Sequence, residues 1–235
     1  MQAIPQNNMA YDRAIIVFSP DGRLLQVEYA RQAVKRGTTA IGLVVKDGVI
    51  LGAIKSSAPL SVTDTYKKIF EVDEHIGLVG SGYLADARNL VEAARVKSQI
   101  NRITYGESIS VKSLAKYLAN HKHMATQYAG LRPFGVGLLI GGADGTGANL
   151  YETDPSGTML EWKAQAIGRG ADKAKKVLKT SYKDGMPTKD GLKLLVKALK
   201  ASEKNADKEC MEIAIIKEDE IKKIFGTDID KFLKE

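Results

Sequence analysis

The sequence predicts an α+β fold built as a four-layer αββα sandwich, on three observations. Short β-branched runs come in hairpin pairs, long helical periods come in sequential pairs, and the order is strands, two helices, strands, two helices, strand. Antiparallel hairpins with consecutive helices argue against an alternating parallel sheet. Each helix pair needs one sheet face to cover, and each sheet then keeps one apolar face. Two sheets stacked face to face satisfy every such surface. At 235 residues and 44% hydrophobic content the chain can bury this core without staples. No linker-like break divides it, which predicts one domain over 1–235.

The first segment, Tyr11–Ala30, begins with an exposed-looking Tyr11-Asp12-Arg13 and a β-branched run. Pro20 fixes φ ahead of the Asp21-Gly22 turn. From Arg23 onward Leu24, Val27, Ala30 and Val34 recur at helical spacing, and Gly37 supplies the stop. Thr39–Val45 and Val49–Ile54 form a hairpin at Lys46-Asp47-Gly48. Ile69–Val72 and His75–Val79 make a weaker one around Asp73-Glu74. The period then lengthens. Tyr83–Thr104 puts Leu84, Ala87, Leu90, Val91 and Ala94 on one helical face, ending at Gly106. A second helix over Val111–Tyr128 turns Val111, Leu114, Ala115, Leu118 and Ala125 inward, capped by Ser110 or Ser108. Strand character returns at Gly137–Gly141, Asn149–Glu152, Thr158–Trp162 and Ala164–Ile167, with turns at Asp144-Gly145 and Asp154-Pro155-Ser156-Gly157. Helices follow at about Ala171–Lys183 and Thr188–Lys204, then a strand at Met211–Ile216. The charged segment Glu218–Phe232 is expected to be helical.

Net charge is +7, from 35 basic and 28 acidic residues. Much of the excess is lysine within Lys163–Lys208, interleaved with leucine at helical spacing. That pattern reads as a solvated helix face, not a nucleic-acid patch. Cys210, the single cysteine, leaves no internal disulfide framework and fits a reducing cytoplasm. The residues before Tyr11 lack an apolar signal region, and no stretch approaches the roughly 20 apolar residues of a membrane span. A soluble, cytoplasmic protein is expected.

Several motifs resemble chemistry they do not carry. Gly80-Ser81-Gly82-Tyr83-Leu84-Ala85 sits between a strand and a helix, as a dinucleotide fingerprint would, but its strand belongs to a hairpin and a second helix follows. Gly168-Arg169-Gly170 repeats the design, so close packing at strand-to-helix turns explains both. The glycine-rich Gly141–Gly147 lacks a phosphate-loop ending and reads as a hairpin loop. His121 and His123 are two apart on a helix and point to different faces, so they make no metal pair. No cofactor or metal is expected. Thr38-Thr39-Ala40-Ile41-Gly42 is the strongest candidate for catalysis, because a chain-initial threonine can act as a nucleophile with its own amine as base. Here a helix precedes Thr38, so its nitrogen is an amide.

The segment Tyr11-Asp12-Arg13, Phe18-Ser19-Pro20-Asp21-Gly22-Arg23-Leu24 and Gln26-Val27-Glu28-Tyr29-Ala30 resembles the N-terminus of the proteasome α-subunit family, archaeal type. The likeness continues through Arg36–Gly42, Lys67-Lys68-Ile69, Ala85-Asp86-Ala87-Arg88, Gly130–Val136, Thr153–Gly157 and Ala166-Ile167-Gly168. It implies the αββα fold of N-terminal-nucleophile hydrolases and a non-catalytic subunit. Such subunits form heptameric rings that cap β rings, gate entry of unfolded protein, and dock an AAA-type regulatory ATPase. The implied partners are further copies of this chain, β subunits, the ATPase and unfolded substrates, with no nucleic acid and no membrane.

By position, the resemblance makes 1–19 a gating tail, 20–37 an N-terminal helix, 38–217 the sandwich and 218–235 a C-terminal helical segment. Tyr11, Asp12, Arg13, Pro20 and Tyr29 become gate residues. Gly37, Lys68, Gly82 and Tyr83 line an activator-docking pocket, where Lys68 meets a terminal carboxylate. Glu28 and Arg31 become contacts between neighbouring copies, and Tyr128, Ala129 and Gly130 a pore annulus. The alternative, a self-processed threonine hydrolase using Thr38, meets Ile54 where β-type chains place an acid and Arg169 where they place a serine. Tyr83 stands in place of a small aliphatic residue, and Ala129 in place of glycine.

Overall fold

Alternation within apolar runs sets the architecture. In Ala40–Val45 (β1) and Gly48–Ile54 (β2) nearly every side chain is buried, because both faces of the hairpin are covered. Ile41, Leu43 and Ile50 face a helical layer, whereas Ala40, Val49 and Leu51 face a second sheet. A computed structural model describes residues 16–55, 60, 67–204, 206–226 and 228–229, so the tail residues Tyr11, Asp12 and Arg13 lie outside the described residues.

The remaining strands are Ile69–Asp73 (β3), Ile76–Gly82 (β4), Val136–Asp144 (β5), Gly147–Thr153 (β6), Met159–Glu161 (β7), Ala164–Ile167 (β8), Met211–Ile216 (β9) and Ile221–Phe225 (β10). They form two five-stranded antiparallel sheets, ordered β10-β9-β2-β1-β8 and β3-β4-β5-β6-β7. Leu84–Tyr105 (α2) and Val111–Ala125 (α3) cover the outer face of the second sheet through Leu90, Val91, Leu114 and Leu118. Ala171–Ser181 (α4) and Thr188–Ser202 (α5) cover the first through Ala174, Leu178, Leu195 and Leu199. Between the sheets lie Val49, Leu51, Val79, Leu139, Leu150 and Ile216. The expected four-layer α+β sandwich is therefore present. Leu25–Arg36 (α1) stands outside these layers, across the ends of β4 and β5.

Two elements differ most from expectation, each for a local reason. The second helix, expected to reach Tyr128, stops at Ala125, because the Thr126 hydroxyl donates to the His123 carbonyl at 2.7 Å and tightens the last turn. The segment expected as a C-terminal helix is instead strand β10 over Ile221–Phe225. Its charges hid a period of two. Ile224 is buried among the helix-side residues, while Lys223 emerges on the other face to pair with Glu71 at 2.7 Å. The Lys217 amide donates to Glu220 across the tight turn that starts this hairpin.

Candidate functional site

The turn predicted at Pro20 closes with Gly22 N–H donating to Ser19 O at 2.8 Å, and Arg23 N–H donating to the Ser19 hydroxyl at 3.1 Å. Pro20 and Tyr29 are exposed. Beyond the turn, Glu28 and Arg31 point to different partners on this chain. Arg23 Nε donates to Glu28 at 2.7 Å, whereas Arg31 donates to Asp154 at 2.7 and 2.9 Å and to Ser156. The Arg23 hydrogen bond is the main reason the Glu28 carboxyl stays below its ordinary range.

At the end of α1 the backbone of Gly37 meets that of Gly82. A Cβ on Gly37 would lie 2.3 Å from Gly82 N, and one on Gly82 would lie 2.2 Å from Gly135 O. Gly82 also has φ +113, which only glycine adopts without strain. The two Gly-x-Gly turns are close-packing devices, as expected: Gly170 likewise presses on Ser202 O and the Thr39 hydroxyl.

Lys68 enters this junction from the start of β3 and is 1% exposed. Its Nζ donates to both Thr38 O and Thr38 Oγ1 at 2.7 Å, and its own N–H donates to Glu212 at 2.9 Å. Burial lowers the ammonium pKa to about 7, against the pull of Glu203 and Glu212 and with a push from Arg169. Ser81 Oγ adds a hydrogen bond to Thr38 O at 3.0 Å. Arg169 is tied to this junction through Glu203. Its Nε donates to Glu203 at 2.7 Å, and Glu203 in turn accepts from Thr39 N–H and hydroxyl at 2.9 and 2.8 Å. Burial alone would raise the Glu203 carboxyl, but Arg169 and Thr39 together hold it low.

Tyr83 continues the junction. Its N–H donates to Gly135 O at 2.8 Å, and the Arg132 guanidinium lies 5.5 Å from its ring centre. Arg132 also forks onto Asp86 with two 2.7 Å bonds, and Asp86 accepts Gly135 N–H at 2.8 Å. These bonds keep the Asp86 carboxyl below its usual range although burial pushes it up. They fasten the Thr126–Gly135 loop, which presents exposed Tyr128, Ala129 and Gly130, onto the Gly82-Tyr83 turn. A cleft of about 470 Å³ opens between Asp86, His121, Met124, Tyr128, Leu131 and Phe134. Gly37, Lys68, Gly82 and Tyr83 thus come together and connect to the Tyr128 loop, although Lys68 is enclosed.

The sequence reading missed Lys122, between the two exposed histidines. It is fully buried, and its Nζ donates to Val136 O, Thr153 O and Thr153 Oγ1 at 2.9–3.0 Å. Burial lowers its pKa to about 7, opposed by Asp154 and Glu152. Its place on the inward stripe, three residues before Ala125, was the available signal. Among the described residues no three His, Cys, Asp or Glu side chains converge as a metal site would need, and no helix is long and apolar enough to cross a membrane.

Comparison with known proteins adds identity to this geometry. Residues 34–216 match the family described as proteasome subunit, and residues 11–33 match the N-terminal signature of A-type proteasome subunits. The chain is 51% identical over 214 residues to the proteasome alpha subunit of Methanoregula boonei, covering 90% of this chain and 89% of that one. It is 50% identical over 214 residues to that of Methanothermobacter thermautotrophicus, covering 90% and 86%. Against the Methanocaldococcus jannaschii protein of that name the identity is 46% over 237 residues, covering 100% and 90%.

Proposed function

Because this chain belongs to the proteasome subunit family and is of its non-catalytic α type, we propose that it forms the ring that gates the proteolytic chamber and docks an ATPase activator. Being of the α type, it assembles with other proteasome subunits. The reading of Thr38 as the nucleophile of a self-processed hydrolase does not stand. The chain is of the non-catalytic type, and Thr38 follows a folded helix, with Ile54 and Arg169 in the places of acid and serine.

One observation carries the gate-and-dock reading. The Ser19–Arg23 turn, α1, the Gly37–Gly82 contact, Lys68 and the Tyr128 loop form one continuously bonded unit. In this proposal Met1–Arg13 is the moving tail. Tyr11, Asp12, Pro20 and Tyr29 hold its open form, and Asp12 and Arg13 pair around the ring. Tyr128, Ala129 and Gly130 line the pore beneath. An activator's terminal carboxylate reaches Lys68 at a boundary between neighbouring copies lined by Gly37, Gly82 and Tyr83, displacing the Thr38 hydroxyl from the ammonium. Glu28 and Arg31 meet a neighbouring copy by exchanging their partners within the chain. The single sandwich domain carries the tail at one end, and the complex works in the cytoplasm.

The decisive test combines the chain with a proteasome β partner. Deleting Met1–Arg13 should raise peptide hydrolysis without activator, and Lys68→Ala should abolish ATPase stimulation while rings still form. Unchanged basal hydrolysis in the deletion would reject the tail as gate. Stimulation that survives Lys68→Ala would move the carboxylate contact elsewhere.

A further inference from the structure

The excess charge of the chain sits on one layer. Residues 171–202, which contain α4 and α5, hold nine lysines and three aspartates, leaving 26 basic against 25 acidic residues elsewhere. Helix α5 is sunk into the molecule: Leu192, Leu194, Leu195, Val196, Ala198 and Leu199 are all buried. What it shows to solvent is mainly a line of Lys189, Lys193, Lys197 and Lys200. Their spacing of four, four and three residues stacks them on one face over about 16 Å. Lys173, Lys176 and Lys179 extend the field on α4. Among the described residues none of these seven lysines forms an ion pair. Like charges at this spacing destabilise a helix. An anionic partner would relieve that repulsion.

The layer also has a place for an anchor. Between the end of α4 and the start of α5, a cleft of about 460 Å³ is lined by three lysines, Lys183, Lys193 and Lys197, and by the carboxylate of Asp190, around Met186 and Leu194. Asp184 on its edge is engaged by Lys163. We infer that the α4–α5 layer is a docking face for an acidic, carboxylate-rich segment of a partner protein that inserts an apolar side chain into this cleft. The chemistry favours carboxylate over polynucleotide. A base would find nothing to stack on there, because the single aromatic of residues 171–202, Tyr182, is half-buried with its hydroxyl on Val44 O.

The test uses the assembled full-length protein and three fluorescent probes: a glutamate-rich peptide with one leucine, the same peptide with glutamine for glutamate, and a short duplex DNA. Anisotropy should show the acidic peptide binding, and weakening as salt rises from about 50 to 200 mM. The glutamine peptide should fail to bind. The quadruple variant Lys189→Gln, Lys193→Gln, Lys197→Gln, Lys200→Gln should lose at least about tenfold in affinity. The matching lysine-to-arginine variant should keep binding, and light scattering should report the same assembly for both. No binding of the acidic peptide, or equal binding by the glutamine variant, overturns the inference. Tighter binding of duplex DNA through the same lysines overturns it in favour of a polynucleotide face.

Discussion

Lys68 and Lys122 are two enclosed ammonium groups with different surroundings and different expected behaviour. Lys122 has three acceptors for its three N–H bonds, which favours the charged form, while burial favours the neutral one. For both lysines the folded pKa, about 7, lies below the unfolded value of 10.5. The folded chain therefore binds fewer protons between about pH 7 and 10.5, and stability should climb with pH across that window. Urea unfolding at pH 7 and 9 should show the climb, reduced in Lys122→Met. An undiminished climb in that variant would place the titration elsewhere. At Lys68 the same value bears on the proposed docking, because only the ammonium attracts a carboxylate. ATPase stimulation should decline as pH rises through about 7, after correction for the activator's own ATPase profile, and a flat profile would count against Lys68 as the contact. One exposed ion pair is worth about 0–1 kcal/mol, so stimulation that depends on Lys68 would draw on the enclosure of the lysine and the multiplicity of tails.

At the scale of elements, the strands, helix pairs and Gly-x-Gly turns were legible because period and turn chemistry are local. Strand β10 was not. Five residues with two lysines, Ile221–Phe225, show their alternation only once β9 lies beside them. The junction was half legible. Its glycines and Lys68 could be located by resemblance, but the Asp86–Arg132 fork and the Glu203–Arg169 clamp span 46 and 34 residues of sequence. No window of periodicity joins such distant residues. Asp86 lies where α2 begins and ties it to the loop after α3. Asp86→Asn should cost about 1–3 kcal/mol, and should raise amide exchange in the Thr126–Gly135 loop more than in β4. Equal protection in both would show that the fork does not hold the loop.

For the molecule as a whole, the surface of α2 indicates how it is completed. Val96, Ile100 and Ile103, at helical spacing, are all exposed, Ile103 to 84%. A monomer gains nothing from such a stripe, whereas a chain that assembles hides it. Ile100→Asp with Ile103→Asp should shift the particle toward smaller assemblies by light scattering, with the far-ultraviolet helix signal retained. An unchanged assembly would mean the stripe stays in solvent. The segregation of charge gives a second expectation at this scale. The chain should pass through immobilised duplex DNA at physiological salt, where phosphate contacts made by lysines alone are weakened by counterions.

The Gly37–Thr38 junction has a chemical consequence. An N-to-O acyl shift there would begin with Thr38 Oγ1 attacking the Gly37 carbonyl carbon. The Arg169 N–H on that carbonyl oxygen, at 2.9 Å, would polarise it toward attack, so what opposes the shift is the fastening of the backbone, with Gly37 N–H tied back to Ala33 O and Val34 O. Bending the peptide into an ester would mean unfastening the end of α1 and parting two glycine backbones that already touch. The threonine hydroxyl serves as a peg for a lysine, and the close packing at the end of α1 keeps the bond before it from becoming a cleavage site. Intact mass spectrometry of the aged protein should find Gly37 and Thr38 still joined.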